Sequence, residues 1–337
     1  MLNKNYLIIL LLFQCTVLTA QQTFLLQKKG KTTYQKVNFS PLSPQLYSNN
    51  ILEYEKNVKE LINFFLQQSV ILNENKGFDL KILLSSNETC NSQTGKRIIK
   101  PWQYGLQSEL RFLFEMLLPN EKKWTVEPPT WSFYINQTET GGHGGLYNDG
   151  DESSFLKQLF LVFPFVKEIA PGVHYYNCPA QTCGQIVVFN PARPNYWLPV
   201  TVREVVQAKL KFYNTDKEGD KAVYNFIKPI AGAMSEEELN APAFYGSDDA
   251  ILNVNGKKQG LQLMRFNPAY WDQSLPVSAI QYFTIAHNEF GYNCFNIQDW
   301  EKSKEEYFRN NGHMEFWQEI PRSVDLSRLA TFIQKNK

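Results

Sequence analysis

Apolar residues recur at helical spacing over residues 51–68, where Leu52, Val58, Leu61, Ile62 and Phe65 share one side behind Asn49 or Asn50 as a cap. A second helical run, about 107–118, is stopped by Pro119. Apolar residues dominate the short runs 78–84 and 131–136, which read as strands, and residues 23–27 and 32–37 read as a strand pair turning at Lys29-Gly30-Lys31. The run 155–165 fits a helix or a strand equally well. Further on, 174–177 and 185–189 form a predicted hairpin, followed by a helix over 202–213. Residues 221–227 are helical, and Ser235 with Glu238 opens another short helix. A second hairpin is predicted from 251–254 and 260–266 around Asn255-Gly256, the dipeptide suited to a tight two-residue turn, with a helix over 279–289 behind it. Helices over 299–309 and 324–334 complete the pattern.

One phrase occurs twice. Phe189-Asn190-Pro191-Ala192, five residues, then Leu198-Pro199-Val200-Thr201 and Glu204 return 77 positions later as Phe266-Asn267-Pro268-Ala269, five residues, then Leu275-Pro276-Val277-Ser278 and Gln281. Thr201 with Glu204, and Ser278 with Gln281, match the capping box, with Val200 facing Val205 and Val277 facing Tyr282 as staples. The expectation is an α+β fold in which two β-hairpin–loop–helix units, residues 174–213 and 251–290, stack on each other. They pack with an N-terminal helix and strand module spanning 21–125, and the duplicated module takes up 126–337, with the boundary in the charged, Pro128-Pro129 region.

The phrases from Asn190-Pro191 through Tyr196-Trp197-Leu198-Pro199-Val200-Thr201-Val202-Arg203-Glu204, and from Asn267-Pro268 through Leu275-Pro276, resemble a group of exported proteins of Bacteroidota-type bacteria. The likeness covers about the second half of the chain. It implies a Gram-negative envelope or secreted location and transfers no catalytic residue.

The N-terminus changes the picture of compartment. Lys4, the apolar run 6–13 and the segment 16–20 ahead of Gln21-Gln22 have the order of a secretory signal peptide, residues 1–20, whose apolar core is too short to span a bilayer. An exported protein, periplasmic or extracellular, with no transmembrane span after removal of the signal, is expected. Residues 1–20 hold one Lys and no acid, so their loss brings the formal charge from +1 to zero. A neutral chain without a basic block is a poor match to nucleic acid. Of the five cysteines, Cys90, Cys178, Cys183 and Cys294 lie beyond the signal, and Cys178 and Cys183 bracket a four-residue loop that suits a disulfide in an oxidising compartment.

Candidate chemistry is thin. His143 sits between two Gly pairs with Asp149 and Asp151 close behind, and with His174 these residues make the candidate site of a hydrolase; His143, Asp149 and Asp151 would be its metal ligands. Against this stands the looseness of a five-glycine loop, and the chain has no H-E-x-x-H, G-x-S-x-G, P-loop or dinucleotide fingerprint. No metal and no cofactor is therefore expected. The Tyr196-Trp197 and Tyr270-Trp271 pairs are candidate ligand-binding aromatics, able to stack on a glycan or an envelope protein, and equally able to fill the space between hairpin and helix. The expected function is a binding or structural module of the envelope, and the alternative is a secreted hydrolase around His143.

Overall fold

The computed structural model describes residues 28–37, 49–87, 103–117, 128, 130–137, 159–161, 165–177, 183–245, 254–255, 261–288 and 323–333. The fold is α+β. Helix α1 (Asn49–Gln68) turns Tyr54, Val58, Leu61, Ile62 and Phe65 into the core, as a stripe with helical period must. Leu52, expected on that stripe, faces solvent at 64% exposure. Ser69 caps the short helix α2 (Val70–Glu74), accepting from the Leu72 amide, and Asn75 closes it in the left-handed conformation.

The strands follow in order: β1 (Thr32–Lys36), β2 (Phe78–Asn87), β3 (Gln103–Met116), β4 (Thr130–Gln137), β5 (Leu159–Leu161), β6 (Phe165–Ala170), β7 (Val173–Asn177) and β8 (Cys183–Val188). After β9 (Trp197–Pro199) come the helices α3 (Val202–Tyr213), α4 (Glu218–Ala233) and α5 (Glu236–Asn240), then β10 (Phe244–Tyr245), β11 (Val254–Asn255), β12 (Leu261–Phe266) and β13 (Phe283–Asn288). Eight strands make one sheet in the order β1-β2-β3-β4-β13-β8-β7-β6. It is antiparallel apart from β1, which runs parallel to β2. The sheet is continuous across residue 125, because β4 bonds to β3 on one side and to β13 on the other. A smaller sheet has the order β11-β10-β12-β5, with β9 also paired to β12.

Alternation along the strands gives the large sheet two faces. One carries Leu80, Ile82, Leu110, Phe112, Phe133, Ile186 and Phe283 against α1 and a C-terminal 3-10 segment, Leu326–Phe332. The other carries Tyr176, Val187 and Phe189 against the smaller sheet. A third cluster, around Val200, Val205, Val206, Ile227 and Leu263, holds the helices to β12. The Thr201 capping box is formed, with the hydroxyl accepting from the Glu204 amide and the Glu204 carboxylate accepting from the Thr201 amide. Ser235 and Glu238 cap α5 in the same way.

Several expected elements are different. Residues 107–116 of the expected helix 107–118 belong to β3. Leu106, Leu110, Leu113, Phe114 and Leu117 satisfy helical spacing, but burial alternates strictly from Ser108 to Glu115, and ten register pairs with β2 decide the matter. Residues 279–289 supply β13 instead of a second repeat helix. A strand buried on both faces reads as an unbroken apolar run, which periodicity alone cannot separate from a helix. Among the described residues the predicted strands around Asn255-Gly256 are not paired with each other: β11 pairs with β10, and β10 stands between β11 and β12. Of the strand pair predicted at the start, residues 32–36 form β1, which pairs in parallel with β2, and residues 23–27 lie outside the described residues. Of the expected helix 324–334, residues 326–332 form the 3-10 segment, and the run 299–309 lies outside the described residues. The duplicated ββα plan therefore does not hold beyond the repeated loop itself. Among the described residues, no helix is long and apolar enough to cross a membrane.

Candidate functional site

The repeated phrase builds the same local turn twice. Asn190 Oδ1 accepts from the Ala192 amide at 3.0 Å, and Asn267 Oδ1 accepts from the Ala269 amide at 3.1 Å. This is the turn that an Asn ahead of Pro favours, since the side chain supplies the acceptor and the backbone is held extended. The loops are then bonded to each other. The Asn190 amide donates to the Tyr270 hydroxyl at 2.9 Å, the Asn267 amide to the Tyr196 carbonyl at 2.8 Å, and Asn267 Nδ2 to the Asn195 carbonyl at 2.7 Å.

Gln281, expected to complete a helix cap, instead stitches the second loop closed. Its amide group accepts from the Asp272 amide at 2.9 Å and donates to the Asp272 carbonyl at 3.1 Å, and it also accepts from Arg193. The Arg193 guanidinium lies 5.5 Å from the centre of the Tyr270 ring and 3.9 Å from the Asp272 carboxylate. The Ser274 hydroxyl and amide hold the exposed Asp272 carboxyl below the usual range.

The candidate aromatics are interior residues. Tyr196 and Tyr270 are each 1% exposed, and Trp197 and Trp271 are 7% and 6%. They pack edge-on and tilted with Phe189, Phe266 and Tyr282 at centroid separations of 4.7–6.3 Å, except for the Phe266–Trp271 pair, which stacks at 5.0 Å. These rings present no open face for a ligand; they fill the layer between the two sheets.

His174 is the one candidate catalytic residue with described surroundings. On β7 it shares a face with Tyr176, and its Nδ1 lies 2.9 Å from the Tyr196 hydroxyl, which in turn lies 2.7 Å from the Tyr176 hydroxyl. The Phe189 and Phe165 rings flank the imidazole at 4.5 and 5.2 Å. Burial lowers its pKa, and Glu168 opposite it on β6 counteracts this in part. Burial raises the Tyr176, Tyr196, Tyr270 and Tyr282 hydroxyls, so at ordinary pH they stay neutral phenols rather than phenolates.

His143, Asp149 and Asp151 lie outside the described residues, as do Cys90, Cys178 and Cys294; Cys183 opens β8 opposite Asn288. Sequence reasoning missed Tyr176, Arg193, Gln281 and Tyr282. Tyr176 was readable, because the predicted strand puts positions 174 and 176 on one face. The other three come together only through pairing between distant segments. No protein family, no curated protein and no solved structure matches this chain.

Proposed function

We propose that the chain is an exported envelope protein, periplasmic or extracellular, that acts by binding or as a structural part, with a glycan or another envelope protein as its partner. The signal-like N-terminus and the resemblance of the twin phrases support export. One observation carries the binding half of the reading: Phe165 and Val166, 55% and 45% exposed, stand side by side on β6, the last strand on the path of the large sheet. Exposed aromatic and aliphatic side chains at a sheet edge are suited to contact with another surface. A disulfide between Cys178 and Cys183 belongs to the same reading, and non-reducing peptide mapping of periplasmic protein tests it; two free thiols there would refute it.

The test of function is cell fractionation with N-terminal sequencing, followed by sedimentation of the purified protein with isolated murein sacculi or with an envelope-protein extract. A mature chain starting at Gln21, co-sedimentation with either material, and its loss in Phe165→Lys/Val166→Lys at unchanged melting temperature are the expected results. Equal co-sedimentation of wild type and double variant sinks the β6 reading, and a cytoplasmic chain with an intact N-terminus sinks export. The rival hydrolase draws support from an imidazole, His174, kept neutral as a general base requires. One metal per chain by elemental analysis, lost in His143→Ala, would promote it.

A further inference from the structure

We propose that His174, Tyr196 and Tyr176 form an acid-sensitive clasp joining the β6–β7 hairpin to the 190–199 connection, strongest while the imidazole is neutral and weakened when it is protonated. The direction of the hydrogen bonds follows from counting. The two hydroxyls bring two hydrogens into a chain of three groups, and the three side chains have no other hydrogen-bond partner among the described residues. If Nδ1 accepts, Tyr196 donates to it and Tyr176 donates to Tyr196, so both hydroxyl hydrogens are used and the ring hydrogen is left on Nε2 of a half-buried imidazole. This fixes neutral His174 as the tautomer with its hydrogen on Nε2. If the ring is protonated, Nδ1 must donate, the chain reverses, and the Tyr176 hydrogen is left without an acceptor at a side chain that is 8% exposed. Protonation therefore reverses the chain at the cost of an orphaned buried hydroxyl hydrogen, and so weakens the clasp.

The surroundings agree. β6 presents Glu168 directly across from His174, with Lys167 beside it, and both are exposed. β8 presents Val187 across from His174 and the uncharged Gln185 across from Tyr176, Phe189 follows just beyond the strand, and the connection presents Tyr196. Arg193 on that connection is engaged with Gln281 and Asp272. Glu168 favours the imidazolium, but burial outweighs it, so the folded pKa lies below the ordinary 6.5. The unfolded chain then takes up the proton first. The stability contributed by the neutral ring is complete above 6.5 and is lost as pH falls through that value toward the folded pKa. The clasp does not rest on the binding proposed at β6, although Phe165 flanks its imidazole.

Imidazole nitrogen shifts and a pH titration by NMR on the full chain test the proposal. The expected results are hydrogen on Nε2, a His174 midpoint below 6.5, and an upward move of that midpoint in Tyr196→Phe, which removes the donor to Nδ1. Hydrogen on Nδ1, or a midpoint unmoved by Tyr196→Phe, would overturn it. Thermal melting on either side of pH 6.5 gives a second reading that does not depend on Tyr196. His174→Asn keeps an acceptor near Nδ1 without a titrating group, so it should lose the His174-dependent part of the acid-induced drop in melting temperature. An unchanged drop in that variant overturns the clasp; if the variant does not fold, the wild-type titration and tautomer decide alone.

Discussion

Asn136 offers the sharpest test of how the large sheet is closed. Its side chain is fully buried, and its backbone sits at φ 57°, in the left-handed region. Nδ2 donates to the Leu106 carbonyl at 2.9 Å and to the Ala279 carbonyl at 2.7 Å, and Oδ1 accepts from the Gln281 amide at 2.8 Å. One amide thus ties β3, the end of β4 and the approach to β13 together. In Asn136→Ala three buried backbone groups lose their partner, and at about 1–3 kcal/mol for each orphaned group the low end of the range already sums to roughly 3 kcal/mol. Alanine in the left-handed region adds about 1–2 kcal/mol that Asn tolerates better. The total, about 4–5 kcal/mol, is a large part of the ~5–15 kcal/mol that holds a domain together. Asn136→Gly removes the same hydrogen bonds without the backbone penalty, so it should be more stable than Asn136→Ala by about 1 kcal/mol. Asn136→Asp keeps the acceptor but turns an oxygen toward two carbonyl oxygens, and should do no better than alanine. Urea denaturation followed by tryptophan fluorescence measures all three. A loss below about 1 kcal/mol in Asn136→Ala, less than a single orphaned group costs, would refute the bridging role. A glycine variant no better than alanine would refute the backbone argument.

Three further outcomes follow from the same interior. The Tyr282 hydroxyl is fully buried with no hydrogen-bond partner among the described residues, so Tyr282→Phe should leave the denaturation midpoint unchanged or raise it; a clear fall would reveal a partner. Trp197→Ala and Trp271→Ala should each cost about 3–5 kcal/mol, as truncation of a buried ring does, and unchanged melting temperatures would return both to the surface. Thr201→Ala should cost about 1 kcal/mol through loss of the α3 cap, whereas Ser278→Ala, with no helix behind it, should shift the midpoint less; equal shifts would contradict the observed divergence of the two loops.

What the sequence made legible is what local chemistry decides. The stripe of α1, the β7–β8 hairpin, the caps of α3 and α5, and the Asn-Pro turns each depend on residues within a few positions of one another. β3 and β13 were not legible, because their strand character is set by partners far along the chain. β13 pairs with β4 and with β8, about 150 and 100 residues earlier. Its Phe283 and Ile285 enter the core under α1 while Tyr282 enters the layer between the sheets, which erases the alternation that would have marked it. The candidate site divides in the same way. His174 and Tyr176 share a predicted strand face, but Tyr196 reaches them only because the 190–199 connection folds back over β7.

The repeat itself contained the signal that its two copies part company. After Thr201 the chain carries Arg203, Glu204, Lys209 and Lys211 among residues 202–213, and a segment so charged has no place in the middle of a sheet covered on both sides. As a helix it turns Val202, Val205 and Val206 inward at helical spacing and leaves Arg203 free to reach Glu236 and Asn240 on α5. After Ser278 the residues 279–288 include no Asp, Glu, Lys or Arg, and Ile280, Tyr282, Phe283, Thr284 and Ile285 are β-branched or aromatic. That composition suits a strand with two buried faces, as the place between β4 and β8 requires, where residues 281–286 are all buried. A capping box is therefore an invitation to a helix that the following residues can decline. Identical turns feed a helix in one copy and the central strand in the other because charge, rather than the cap, determines whether the next segment can be buried.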